Sequence, residues 1–166
     1  MARRIHPAFH SLILATVMLG CASDGIETSV AFDPLTQFPT QATFLWDSSS
    51  SKLPADDRIA ALDLGPVIEA AAEAEFAVRG YTLSTTESAN YLMSYQVASH
   101  SWIGADNSRA VGSLSLLLVE AASGRRVWLG IGRAEINVGL SNDERLAGMR
   151  VALAKMLKEF PPNQSR

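Results

Sequence analysis

Two alternating apolar segments joined by a polar turn, within residues 111–138, constrain the fold of this chain more than any other feature. The first segment, VGSLSLLLVE, places Leu114, Leu116 and Leu118 on one side of an extended strand. The polar turn AASGRR follows, and then the second segment, VWLGIGRAEINV. Two strand patterns separated by a short polar turn predict an antiparallel β-hairpin. We therefore expect a sheet built around this hairpin.

The second strand of the hairpin carries glycines on its apolar side. Trp128, Gly130, Gly132 and Ala134 alternate along it and share one face. Because glycine in a strand leaves room for a close neighbour, we expect a helix backbone or an indole ring to lie against this face. The segment GIGRAE is a poor match to a dinucleotide-binding loop, since a strand rather than a helix continues through it.

Three other segments show strand alternation. Residues 26–32 alternate before Asp33-Pro34 and predict a half-buried strand. A second alternation, ATFLW, ends in the polar run DSSSSKLPADD, which is typical of a solvent-exposed loop. The segment NYLMSYQVASH predicts a third strand, and the polar segment SWIGADNSR after it predicts a loop.

Two segments show helical spacing, and together with the strands they define the fold class. Gly65-Pro66 is expected to open the first helix, which buries a face containing Ile68 and Phe76. Ser141 and Glu144 match a capping box at the start of the second helix. The apolar stripe of this second helix comprises Leu146, Met149, Leu153, Met156, Leu157 and Phe160. The predicted fold is α+β: a two-layer domain with a mainly antiparallel sheet of about five strands and both helices packed on one face.

The N-terminal residues have the layout of a secretory signal. MARRIHPAFH contains two arginines and no acidic residue, and the following SLILATVML is mostly apolar. This run is much shorter than the roughly 20 residues that span a bilayer, so we predict a cleaved signal rather than a transmembrane helix. A buried amphipathic helix is disfavoured because the run has no polar stripe. The RRIHPAF segment lacks the apolar pair that usually follows the arginines of a twin-arginine signal.

The end of this run, Met18-Leu19-Gly20-Cys21, resembles the bacterial lipobox. In that motif the cysteine is alkylated with diacylglycerol before cleavage on its amino side, so the resemblance implies lipid attachment at Cys21. Acylation also explains a single cysteine without a disulfide partner. A buried free thiol and a catalytic thiolate are weaker interpretations, since His100 is the one histidine left after signal removal. The residue after the cysteine is Ala22. Lipoproteins that stay at the inner membrane commonly have aspartate at this position, so the resemblance implies the outer membrane.

The predicted division is a signal peptide at 1–20, a short tether at 21–25 and a single domain at 26–162. Removal of the signal leaves about 146 residues, the size of one domain, with a net charge of about −5. No basic stripe with interleaved aromatic residues is present in the sequence, which argues against nucleic-acid binding. Membrane attachment is expected through acyl chains rather than through a polybasic surface.

Several segments together resemble a bacterial lipoprotein family, domain of unknown function 4136. They are FDP…TFLWD, a helix ending in RGY, the hairpin GSLSLLLVEAASGRRVWLGIGRAEI and a last helix ending in FPP. The likeness covers about residues 26–162 and is strongest from Gly112 to Glu120, at Gly124 and at Val127-Trp128. Members are typically envelope lipoproteins with a small α/β domain and no established activity. The resemblance therefore implies a fold and a location, and no catalytic residue.

These features favour a non-enzymatic envelope lipoprotein whose periplasm-facing domain binds another envelope component. Trp102, a large aromatic residue in a polar segment, is the candidate contact, although its ring folding back over the sheet is the other interpretation. The alternative function is a carrier of a small or lipidic ligand in a pocket between helices and sheet, floored by Gly130 and Gly132. Hydrolysis has little support, because the serines at 48–51 lack a nucleophile motif and Asp56-Asp57 lacks a metal-loop pattern. No cofactor or metal site is predicted.

Overall fold

The computed structural model describes residues 25–55, 62–86, 88–103, 108–137, 139–158 and 160–161. Six strands and two helices occur in these residues. The strands are β1 (Glu27–Phe32), β2 (Ala42–Trp46), β3 (Tyr81–Leu83), β4 (Tyr91–Ile103), β5 (Ser108–Glu120) and β6 (Arg126–Glu135). The helices are α1 (Leu64–Ala77) and α2 (Asn142–Leu157).

The strands form one sheet in the order β1-β6-β5-β4-β2-β3. Neighbouring strands are antiparallel except at β2, which runs parallel to both β3 and β4. The prediction of an α+β fold with a mainly antiparallel sheet and two helices is confirmed. The sheet has six strands rather than about five. The strand that the sequence pattern does not predict is β3, which is only 3 residues long. So short a strand does not produce a recognisable alternation in the sequence.

The predicted hairpin is formed by β5 and β6. The two strands pair from Val111 opposite Glu135 to Leu118 opposite Trp128, and a bulge follows between Leu118 and Val119. Gly124 occupies the turn with a φ of +70°, in the left-handed region that favours glycine.

Both helices pack on one face of the sheet, which we call the helix face. Alternate strand residues point to it and are buried, and most of the residues between them are more exposed, although Ser94 and Val127 are buried as well. The buried strand residues on this face include Phe44 on β2, Tyr91, Met93, Tyr95 and Val97 on β4, Leu114, Leu116 and Leu118 on β5, and Trp128 on β6. Ile68, Ala72 and Phe76 of α1 and Leu153, Met156 and Leu157 of α2 complete the core. Burial of each large side chain contributes about 1.5–3 kcal/mol.

The helix ends largely follow the sequence pattern. α1 begins at Leu64, one residue before the predicted Gly65-Pro66. The capping box of α2 is present: the Glu144 N–H donates to Ser141 Oγ at 3.3 Å, and the Ser141 N–H donates to Glu144 Oε2 at 2.8 Å. Within the described residues, neither helix is long and apolar enough to cross a membrane.

Two sequence expectations are wrong in detail. β1 is a strand as predicted, but all of its residues are exposed rather than half-buried. It forms the edge of the sheet, and Val30 and Phe32, on the helix face, remain 41% and 39% exposed. The segment predicted as a loop after His100 is largely strand, since β4 continues to Ile103 and β5 starts at Ser108. Polar residues suit this part of the strand pair because it extends past the last residue of β6.

Candidate functional site

A cavity of about 230 Å³ lies between the helix face and the first half of α2. Residues 112–114 of β5 and 132–135 of β6 form its floor. Gly148, Met149 and Ala152 of α2 form its roof. The volume exceeds that of a roughly 150 Å³ apolar cavity able to hold benzene, and it is just below the usual range of about 300–1,000 Å³ for small-molecule sites.

The cavity lies at one end of the helix–sheet interface. Val97 of β4, Leu64 at the start of α1 and Ile26 just before β1 also line it. We call this part of the molecule the cavity end, defined by Ile26, Leu64, Val97, Gly132 and Gly148. Because Ile26 belongs to it, the chain enters the domain from the N-terminal side at the cavity end.

Small residues on α2 and β6 create the cavity. A Cβ atom on Gly132 would lie 3.3 Å from Cβ of Ala152 and 3.6 Å from Sδ of Met156. The helix therefore touches the strand closely at this position, as the glycine pattern predicts. One turn earlier on α2, a Cβ atom on Gly148 would have no neighbour within 4 Å. Space consequently remains between the first turns of α2 and the sheet.

Charged side chains border the mouth of the cavity, and their signs balance. Arg133, Glu135 and Glu144 are exposed and Arg145 is half-buried. Glu144 is part of the capping box. Its hydrogen bond with the Ser141 hydroxyl, and to a smaller extent the one with the Ser141 backbone, hold the pKa of its carboxyl below the usual value. Among the described residues, no three His, Cys, Asp or Glu side chains are grouped to hold a metal ion. The site therefore has an apolar interior and a mouth without a dominant charge.

The opposite end of the same interface is filled with aromatic rings, and we call it the aromatic end. It contains Phe38, Phe44, Phe76, Tyr81, Tyr91, Trp128 and Phe160. The ring centroid of Phe160 lies 4.9 Å from that of Phe76 and 5.4 Å from that of Trp128. The Tyr81 hydroxyl donates to the carbonyl oxygen of Pro39 at 2.7 Å, and burial raises the pKa of that hydroxyl.

Gly130 belongs to the aromatic end and not to the cavity. A Cβ atom on Gly130 would collide with the six-membered ring of the Trp128 indole. The expected indole contact is therefore present, whereas the predicted pocket floor is correct for Gly132 and wrong for Gly130. Trp128 and Phe76 fill the aromatic end, but Met149 borders the cavity without filling it.

The structure places the other sequence-predicted site residues unevenly. Cys21 and Asp56-Asp57 lie outside the described residues. Trp102 lies on β4 with its Cα paired to that of Arg109, in the part of the β4–β5 pair that extends past Glu135 at the cavity end. Its predicted loop position is therefore wrong, because the strand pairing with β5 continues through it. Its role as a contact stays a prediction.

Acidic side chains of α1 and the hydroxyl groups of the serine run have structural partners. Glu73 Oε1 accepts a hydrogen bond from Trp46 Nε1 at 2.9 Å, and Glu75 forms an ion pair with Arg79 at 2.8 Å. In the serine run, the Ser49 hydroxyl donates to Asp47 Oδ1 at 2.6 Å. That bond, with a second from Ser50, holds the pKa of Asp47 below its usual value. These groups organise a helix surface and a turn.

A second surface was not anticipated from the sequence. On the face of the sheet opposite the helices, half-buried apolar side chains from four neighbouring strands lie side by side, and no described helix covers them. We call this surface the open face; it comprises Leu45, Leu92, Leu117, Val119, Leu129 and Ile131. The signal was available in the run LSLLLV, where Leu117 interrupts the alternation and makes both faces of β5 apolar.

The family is decided by a match of residues 28–162 to the model of the domain of unknown function DUF4136. The chain belongs to this family. The resemblance seen in the sequence is thereby confirmed, over nearly the same residues. No curated protein matches the chain in sequence.

Solved structures share the fold of this DUF4136 domain at low identity. The PelC dodecamer from Paraburkholderia phytofirmans matches with a TM-score of 0.50 and 14% identity, over 80% of this chain and 96% of that chain. A PDZ domain protein from Parabacteroides distasonis gives 0.55 and 15%, over 84% of this chain and 36% of that longer chain. A minor lipoprotein from Acinetobacter baumannii gives 0.41 and 15%, over 71% of this chain and 87% of that chain. At these identities the likeness to PelC and to the PDZ domain protein concerns the fold alone, and a TM-score of 0.41 carries no conclusion.

Proposed function

We propose that this DUF4136 protein is a non-enzymatic envelope lipoprotein, anchored in the outer membrane by acyl chains on Cys21, with its domain facing the periplasm. The lipobox sequence carries this proposal. The tether sets the placement of the domain on the membrane. Residues 22–26 separate Cys21 from β1 and span at most about 18 Å when fully extended. The cavity end, which contains Ile26, is then the part of the domain nearest to the membrane.

The anchor is tested by comparing the wild-type protein with Cys21→Ser in cells grown with a tagged fatty acid. We expect the wild-type protein to carry the label, to begin at Cys21 in its mature form by mass spectrometry and to fractionate with the outer membrane. The variant should carry no label and keep its signal, because a hydroxyl replaces the thiol nucleophile. A wild-type protein that is unlabelled and soluble in the periplasm would refute the anchor. Labelled protein in the inner membrane would refute only the sorting.

The domain binds another envelope protein, and the open face is the surface that supports this part of the proposal. The uncovered side of an antiparallel sheet is ordinarily polar, whereas this one carries a contiguous group of leucine, isoleucine and valine side chains. These side chains are half-buried, and contiguous apolar surface that no described helix covers is typical of interaction sites. PelC, which shares the fold, is a dodecamer, so a second copy of the chain is the competing occupant.

Two substitutions on the same face of the sheet test the partner surface. Leu117→Glu places a charge within the apolar group, whereas Gln96→Glu places the same charge at an exposed position of β4 opposite Ser115, outside that group. After crosslinking in whole cells, we expect a defined partner band with the wild-type protein and Gln96→Glu, and its loss with Leu117→Glu. A band that survives Leu117→Glu would contradict the surface. A band that contains only this chain would replace the partner with self-association.

The cavity supports a second candidate function, a carrier of an apolar ligand. Its lining is mostly aliphatic, and the charges at its mouth balance. Large side chains do not fill the interface completely at the cavity end, where Met149 borders open space. Native mass spectrometry of the protein extracted from its own membranes tests this function, since a carrier should retain a small ligand that dissociates on unfolding. A protein without any bound species, even after incubation with membrane lipid, would contradict it.

A further inference from the structure

We propose that the cavity takes up the end of one acyl chain from a lipid of the membrane to which the protein is anchored. The inference deepens the carrier function, and for the source of its ligand it rests on the proposed anchor at Cys21. It assigns a binding site, a ligand class and an orientation of the domain on the membrane.

The lining specifies the chemistry of the ligand. Val97, Leu114 and Met149 surround the interior with aliphatic and thioether groups. Apolar cavities exclude water and bind apolar molecules. The mouth carries Arg133 and Glu135 among balanced charges, so it neither selects nor repels an anionic headgroup. A hydrocarbon chain satisfies the interior without needing a polar partner there.

The volume specifies how much of a lipid enters. At about 230 Å³ the cavity exceeds one that holds benzene and is smaller than the usual site for a whole small molecule. A segment of one chain therefore fits, whereas two chains with a headgroup do not. The rest of the lipid stays in the bilayer, which requires the mouth to lie at the membrane surface.

The tether supplies that placement. Ile26 lines the cavity, and it is connected to Cys21 by a segment that reaches no further than about 18 Å. A lipid chain has to leave the bilayer by only a short distance to reach the mouth. The aromatic end, by contrast, is filled by rings and lies at the far end of β1, where Phe32 pairs with Trp128.

Gly148 provides a substitution that fills the cavity without crowding the core. A side chain there enters open space, and replacing glycine within a helix favours the helix. Gly148→Leu should therefore occupy the site while the fold is retained. Ala147→Leu is the matched control, because it adds the same side chain at an exposed neighbouring position that does not line the cavity.

The experiment uses the full acylated protein in vesicles of phosphatidylethanolamine and phosphatidylglycerol, with a phosphatidylcholine that carries a diazirine at the end of one acyl chain. After irradiation, we expect mass spectrometry to find the label on Leu114 and Met149 in the wild-type protein and in Ala147→Leu, and its loss in Gly148→Leu. Label retained in Gly148→Leu, or found only outside the cavity, overturns the proposal. A parallel sample carries the diazirine only on the acyl chains of Cys21. Label on Leu114 and Met149 in that sample, but not with the labelled phosphatidylcholine, overturns the proposed source.

A second measurement separates this inference from the anchor. Flotation of the vesicles tests the anchor alone, because a chain that does not float is not lipid-attached. Titration of the same full chain with cis-parinaric acid, a fluorescent linear fatty acid, tests the cavity in either case. We expect a saturable rise in fluorescence with the wild-type protein and Ala147→Leu, and its loss with Gly148→Leu. No saturable rise with the wild-type protein overturns the cavity assignment even when flotation succeeds.

Discussion

The aromatic end and the cavity end are built from the same two layers, yet one is solid and the other hollow. At the aromatic end, loop residues such as Phe38 and Phe160 bring extra rings between helices and sheet. At the cavity end, the facing positions are small, with Gly132 on the sheet and Gly148 on α2. The comparison indicates that stability is concentrated at one end, which leaves the other free to hold a ligand.

The glycines at the interface between helices and sheet have two different kinds of surroundings. The Trp128 ring occupies the space that a side chain on Gly130 would need, and α2 occupies the space beside Gly132. The space beside Gly148 is empty, because no atom lies within 4 Å of the position of its Cβ. The first two glycines are therefore required for packing, whereas the third leaves part of the interface empty.

The largest expected effect is at the aromatic end. Trp128→Ala should lower the free energy of unfolding by about 3–5 kcal/mol, because it removes a buried ring packed on Phe160 and Gly130. Trp102 lies where the β4–β5 pair extends past β6, and Trp102→Ala should change the free energy of unfolding by no more than about 0.5 kcal/mol. Chemical denaturation of both variants measures the difference. Equal losses would remove the distinction between a packed end and the rest of the domain.

Alanine substitutions at two glycines should have opposite signs. Gly130→Ala should destabilise the protein by about 1–3 kcal/mol, because its methyl group collides with the Trp128 indole. Gly148→Ala should stabilise it by up to about 1 kcal/mol, because its methyl group enters open space on a helix. Thermal unfolding of both variants decides the sign. A loss at both positions would mean that the cavity end is as tightly packed as the aromatic end.

The roof of the cavity depends on the start of α2. Ser141→Ala should cost about 1 kcal/mol, because it removes the hydroxyl that accepts from the Glu144 N–H. Hydrogen exchange should rise in the first turn of α2 and stay unchanged at the aromatic end. Faster exchange throughout the domain would contradict a local effect.

The smallest expected effect is a pH dependence at this cap. Hydrogen bonds with Ser141 lower the pKa of Glu144 in the folded protein. The ionised carboxylate therefore stabilises the fold fully at a pH above its unfolded pKa of 4.5. This stabilisation is lost as the pH falls through the lower pKa of the folded state. The stability difference between the wild-type protein and Ser141→Ala should therefore narrow as the pH falls below about 4.5. Denaturation curves at acidic and neutral pH measure it. A difference that widens on acidification would contradict the cap.

The sequence predicted features that depend on local spacing. The hairpin around Gly124 and the capping box at Ser141 follow from short patterns, and both are present. Side-chain placement across layers was not predictable in the same way. Trp128 lies over Gly130 because of the rings that surround it, and the strand pattern alone does not distinguish Gly130 from Gly132.

Other differences between the predicted and the observed structure concern residues that do not pack in the core. The polar neighbours of Trp102 predict a loop, but a strand pair that extends past the rest of the sheet also accommodates polar residues. Gly148 gave no signal, since helical spacing marks the apolar positions and not the empty ones. The open face was missed because β5 was interpreted through Leu114, Leu116 and Leu118 alone.

The proposed orientation of the domain on the membrane can be measured by lipid quenching. Cys21 is the single cysteine of the chain, so in the acylated protein an introduced cysteine is labelled alone. Leu140→Cys lies at the mouth of the cavity and Val78→Cys beside the aromatic end, at positions that are 39% and 79% exposed. With bimane on each cysteine and nitroxide-bearing lipid headgroups in the vesicle, we expect stronger quenching at position 140. Equal quenching, or stronger quenching at position 78, would contradict a cavity end held against the membrane.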